Sequence, residues 1–214
     1  MTKRFATLVL ILLSLPLTSG CSLLTTIRWM GGGDLAPAEY DDLEEKRVAI
    51  VCVSDRSSYG SGSESLLLAR EVSSILRNNI EDIELVRADE IADWIDREGW
   101  DEIDYREIGR GVEADRVIAV DLASFSIHEG SSLYKGRADI TVTVYDMSDG
   151  GHEVFRKFVP EFSFPATGPY PVGDLSEVQF RRAFLKTLSQ HVARHFYAYD
   201  MADDFSRDSA FIRP

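Results

Sequence analysis

Two cysteines, Cys21 and Cys52, are all that the 214 residues contain, and histidine is limited to four. So few thiols exclude a disulfide-stapled scaffold. Cys52 lies inside the apolar run Arg47-Val-Ala-Ile-Val-Cys-Val53 and reads as a buried small hydrophobe, not a nucleophile. Positive charge is also short, with 23 Lys and Arg against 36 Asp and Glu, a net charge of −13. Phosphate backbones are bound by clustered Lys and Arg, so a nucleic-acid partner is excluded. A basic face lying on anionic lipid is disfavoured on the same ground. No apolar run reaches the roughly 20 residues that a helix needs to cross a bilayer core. No internal repeat is visible.

The longest apolar run, Phe5 to Leu17, follows Lys3 and Arg4 and precedes the small residues Thr18, Ser19 and Gly20. Charge, apolar stretch and small residues in that order form an export signal. Gly20-Cys21 then resembles the end of a lipobox, although Thr18 stands where that motif usually has Leu, with Leu17 one place further out. The resemblance implies cleavage before Cys21 and lipid on its sulfur. A single acyl chain binds a membrane only marginally, so stable anchoring implies several chains on this residue. Ser22 rather than Asp follows, which by the common sorting rule implies the outer membrane, periplasmic side. Loss of residues 1–20 removes Lys3 and Arg4 and no acid, which takes the net charge to −15.

Residues 21–45 are expected to be a lipidated cysteine and flexible tether: they hold Gly31-Gly32-Gly33, Pro37 and the acids Asp41, Asp42, Glu44 and Glu45, without an apolar period. About 25 such residues reach about 25–30 Å. Residues 46–199 are expected to form one α/β domain, and 200–214 an acidic tail. Arg47–Val53 is nearly all apolar, as in a strand covered on both faces. After a Ser/Gly-rich loop, Ser61-x-x-Glu64 opens a helix whose apolar face is Leu68, Val72, Ile75, Leu76 and Ile80. Ile83–Arg87 is a short strand. Asp89 is expected to cap a helix carrying Ile91, Trp94 and Ile95, and a third helix lies around Tyr105–Arg110. Arg116–Ile127 and Tyr134–Met147 are long strands. Asp149-Gly150-Gly151 is a hairpin turn leading to a strand from about His152, bent at Pro160, towards Phe164. The last helix is expected from a cap at Asp174 or Ser176 to about Tyr199. The order predicts a mixed five-stranded sheet, parallel in its first half and an antiparallel meander in its second, packed by about four helices.

Lys46-Arg-Val-Ala-Ile-Val51, Gly111-Val-Glu-Ala-Asp-Arg-Val-Ile-Ala-Val120, Tyr134–Val144 and Tyr145-Asp146 before the Gly150-Gly151 turn carry a family resemblance. Residues 46–199 resemble a group of periplasmic domains. It includes the TolB amino-terminal domain, the curli-secretion lipoprotein and the lipoprotein activators of penicillin-binding proteins. The resemblance implies an adaptor that contacts another envelope protein. A transmembrane pore is disfavoured, because Tyr134–Met147 carries charges and threonines on its second face.

Three local patterns were weighed for chemistry. Gly60-Ser61-Gly62 between a strand and a helix suits an anion, but no Lys follows at Walker spacing and the third glycine of a dinucleotide loop is missing. His191 and His195 share a helical face, yet two ligands make a weak metal site, and hydrogen-bonded, partly buried histidines fit better. Ser132-x-x-Lys135 matches a serine-acylase pair only in spacing, since it enters a strand. No metal, cofactor or catalytic set is expected.

The expected function is therefore a membrane-anchored, non-enzymatic envelope adaptor. Its partner surface is expected in the Ser54–Ser63 loop, with Arg56 and Tyr59, and in the Phe162–Tyr170 loop, with Phe162 and Tyr170. The first alternative is a small-ligand or hydrolytic site at the strand ends around Asp55, Arg56 and Ser57. The second is a subunit of a secretion or transport complex, joined through a sheet edge.

Overall fold

Val48 to Cys52 are buried without exception, because this strand is covered by helices on both faces. The computed structural model describes residues 35–54, 64–98, 104–173 and 175–201. Its strands are β1 (Leu35–Ala36), β2 (Arg47–Ser54), β3 (Glu84–Leu85), β4 (Arg116–Glu129), β5 (Leu133–Asp146), β6 (His152–Phe164), β7 (Tyr170–Pro171) and β8 (Tyr199–Asp200). The helices are α1 (Glu64–Asn79), α2 (Ala88–Glu98), α3 (Tyr105–Gly111) and α4 (Glu177–Ala193), with a 3₁₀ turn at Arg194–Phe196.

The main sheet runs β3-β2-β4-β5-β6. Pairing is parallel from β3 to β4 and antiparallel from β4 to β6, as the connection lengths require. It has six strands rather than the five expected. The sixth is β7, where Leu133 and Tyr134 pair with Pro171 and Tyr170 in a stretch whose prolines and glycines had marked it as loop. Bulges interrupt β4–β5 near Ser124 and β5–β6 near Pro160, where Glu161 takes a φ of 52°. They bend the sheet around α4.

One face of the sheet buries Ile50, Cys52, Ile118, Val120, Ile140 and Val142 against Leu68 and Val72 of α1 and Phe180, Phe184 and Leu188 of α4. At Gly136 the Phe184 ring lies where a Cβ would stand, 2.6 Å from its nearest atoms, so only glycine fits. The opposite face at the parallel end packs Ala49, Val51 and Val117 on Ile91, Ile95 and Ile108 of α2 and α3. Ser176 caps α4 reciprocally with Gln179. Asp89 does not cap α2: it lies in the first turn and pairs with Arg87. The last helix stops six residues before Tyr199, because the chain tightens at Arg194 and leaves in extended form to pair as β8.

Residues Leu35–Glu45, expected within the tether, are laid onto the domain instead. β1 pairs with β8, and the Glu39 and Tyr40 amides both donate to the His195 carbonyl at 2.9 Å. Leu43 is wholly buried in the main core. Arg116, with a side chain only 7% exposed, binds Asp42 and Asp146 and donates from Nε to the Tyr40 hydroxyl at 3.1 Å. Among the described residues, no helix is long and apolar enough to cross a membrane.

Candidate functional site

Cys21, Arg56 and Tyr59 lie outside the described residues, as do Asp55, Ser57 and the Gly60-Ser61-Gly62 loop. Phe162 and Tyr170 are half-buried rather than exposed. Phe162 stacks on Phe184 with centroids 6.2 Å apart and meets His191 at 4.9 Å. Tyr170 packs on the core from β7. Each presents part of its ring to solvent along the rim of the sheet.

That rim continues along β6. Among the described residues β6 pairs with β5 alone, so its outer edge is open over 13 residues. On it Phe158 is 59% exposed and Val154 is 46% exposed. Large apolar side chains on an open strand edge are costly to leave bare, because the unpaired backbone invites another chain. Pro160 has no N–H to offer, and Glu161 bends the strand. A partner strand can therefore pair only with the stretch before the proline. Sequence reasoning had found the strand but not its position at the edge, since strand order follows from tertiary packing.

The strand ends hold a pocket of about 300 Å³, lined by Ser54, Glu64, Phe125, Ser126, Ile127, His128 and Arg181. Its Arg181 binds both Glu64 and Glu177, and His128 Nε2 stands 3.8 Å from Glu177. The guanidinium is already matched to two carboxylates. Ser126 donates to the His128 carbonyl at 3.4 Å, which turns its hydroxyl to the backbone.

The two helical histidines form a different cluster. His195 is 6% exposed, and its Nδ1 stands 3.1 Å from Glu39 Oε1. A carboxylate only accepts, so the Nδ1–H donates and Nε2 carries the lone pair. That Nε2 is buried without a partner among the described residues. Lys157 donates to the same carboxylate at 2.8 Å, the main reason that Glu39 titrates below the ordinary carboxylate range. Burial lowers both histidines, and His191 falls to about 4. Both are packing groups, and His195 also clasps the 35–45 segment through Glu39 and Tyr40. Among the described residues, no three His, Cys, Asp or Glu side chains are placed to hold a metal ion.

Cys52 is fully buried, and desolvation pushes its thiol well up. Lys135 is turned to the Pro165 carbonyl, while the Ser132 carbonyl accepts from Val172 in the β7 connection, so the pair does not form an acylating dyad.

No family model and no curated protein sequence matches the chain. Among solved structures, a PelC dodecamer from Paraburkholderia phytofirmans is 14% identical with a TM-score of 0.45, over 77% of this chain and 96% of that one. The lipoprotein GNA1162 from Neisseria meningitidis is 10% identical with a TM-score of 0.42, over 69% and 97%. The LpoB C-terminal domain from Salmonella enterica is 15% identical with a TM-score of 0.33, over 64% and 90%. Likeness at these values carries no argument about partners or chemistry.

Proposed function

We propose that this protein is a non-enzymatic envelope adaptor, anchored to the periplasmic face of the outer membrane by lipid on Cys21. Its partner is another envelope protein that adds an extended segment to β6. The observation that carries this reading is the open β6 edge with Phe158 59% exposed. Backbone hydrogen bonds along such an edge supply affinity, and pockets beside alternate side chains supply selectivity. Phe162 and Tyr170 extend the same rim, and Arg56 and Tyr59 of the Ser54–Ser63 loop are included in the proposed partner surface. The export signal ahead of Cys21 supports an envelope location for it. The ion-paired strand-end cluster supports a binding role over a hydrolytic one.

The test places a photocrosslinking residue at position 158 in cells and follows the membrane fraction. A discrete adduct with one envelope protein, reduced by Val154→Lys, is the expected result. A partnerless monomer throughout would sink the adaptor reading. Loss of palmitate labelling in Cys21→Ser tests the anchor separately.

A further inference from the structure

A second cavity, of about 340 Å³, opens between the C-terminal ends of α1 and α4. It is lined by Ile75, Asn78 and Asn79 of α1, Gln190 of α4, and Arg194, Tyr197, Ala198, Tyr199 and Asp200 of the closing turn and β8. Its volume lies at the lower end of the range for ligand sites, roughly 300–1,000 Å³.

The lining chooses among ligand classes. Arg194 and Asp200 offset each other in charge, so neither an anion nor a cation is selected. An apolar ligand would strip water from the amides and phenols, at about 1–3 kcal/mol for each group left unmatched. Asn78, exposed, and Gln190, half-buried, line the cavity from two helices, and neither side chain has a hydrogen-bond partner among the described residues. The Asn79 amide donates to the Ile75 carbonyl at 2.7 Å, which leaves its Oδ1 as a further acceptor. Each amide both donates and accepts, which a ring of hydroxyls can answer group for group. Tyr197 and Ile75 line the same cavity and supply apolar surface for the C–H side of such a ring, while the Arg194 guanidinium covers a face of Tyr199 at 4.8 Å.

We infer that this cavity is a binding site for an uncharged sugar unit. Amides on rigid helices provide the hydrogen bonds, and Tyr197 with Ile75 provides the apolar surface. The cavity shares no lining residue with β6, so a sugar and a protein partner can be held together.

The test uses the full chain in a sugar-free detergent and saturation-transfer NMR with maltotriose and with tri-N-acetylchitotriose. The expected result is saturable binding of at least one sugar in the millimolar range or tighter. Gln190→Ala and Asn78→Ala should each weaken it by up to about tenfold, the scale of one net hydrogen bond, with the melting temperature unchanged. Absence of saturable binding by both sugars overturns the proposal. So does binding that both substitutions leave intact, or binding of N-acetylglycinamide in place of the sugars, which would mark a peptide site. Lipidation at Cys21 can fail its own labelling test without altering any of these outcomes.

Discussion

His191 and His195 show how a pattern that suggests metal chemistry can serve packing instead. Both rings lie among Phe155, Phe162 and Phe196, and Glu39 and Lys157 are the charged groups facing them, with Arg194 adjacent in the chain. A histidine whose folded pKa is depressed binds its proton more readily when unfolded. Its contribution to stability is therefore complete above about 6.5 and is lost as pH falls towards about 4. Glu39, also depressed, contributes a loss of the same sign at still lower pH. We expect thermal stability to drop by several degrees between about pH 7 and pH 5. His191→Gln should flatten that slope, as followed by the near-ultraviolet melting curve. Arg116 is the other decisive residue. Arg116→Met leaves Asp146, 17% exposed, and the Tyr40 hydroxyl without their cation. A loss of about 3 kcal/mol in urea denaturation is expected. Neither role was legible from sequence, because Asp42 meets Arg116, and Glu39 meets His195, across more than 70 residues of chain.

At the scale of elements, the strands of the central sheet were legible because burial prints itself on them. β2 is apolar throughout, and β5 alternates Ala138, Ile140 and Val142 with Arg137, Asp139 and Thr141. The elements that sequence missed are those held by a few non-local bonds. β7 is two residues long and ends in proline, and β8 begins at Tyr199, whose spacing continues the α4 period and so looks helical. The 35–45 segment buries a lone Leu43 among acids and shows no period at all. Leu43→Ala should cost about 2–5 kcal/mol if the segment packs as described. Hydrogen exchange should then accelerate first at the Glu39 and Tyr40 amides, which donate to His195. Unchanged exchange there would contradict the docked arrangement. Of the expected partner surface, Phe162 and Tyr170 are half-buried, and Arg56 and Tyr59 lie outside the described residues. The open edge at Phe158 and the amide-lined cavity were not legible in the sequence, since both arise from which elements end up side by side.

For the whole molecule, the proposed attachment and the proposed recognition use separate parts of the chain. The sequence carries a net charge of −13, and Cys21, the residue proposed to hold lipid, lies near one end of it. The β6 edge and the cavity at the α1–α4 end use different elements. A Gly-Ser spacer inserted after Ser22 should leave the urea midpoint within experimental error while changing which crosslinks form from position 158. A fall in stability on insertion would show that residues before Leu35 contribute to the fold.

The seating of Leu35–Glu45 on the domain has a consequence for distance. With lipid on Cys21 as proposed, residues 22–34 are the chain between the anchor and Leu35, and 13 residues fully extended cover at most about 45 Å. The folded body would then work on a short leash with a hard stop. A partner lying beyond that span has to come to it, so the arrangement selects partners by their height above the membrane as well as by their surface.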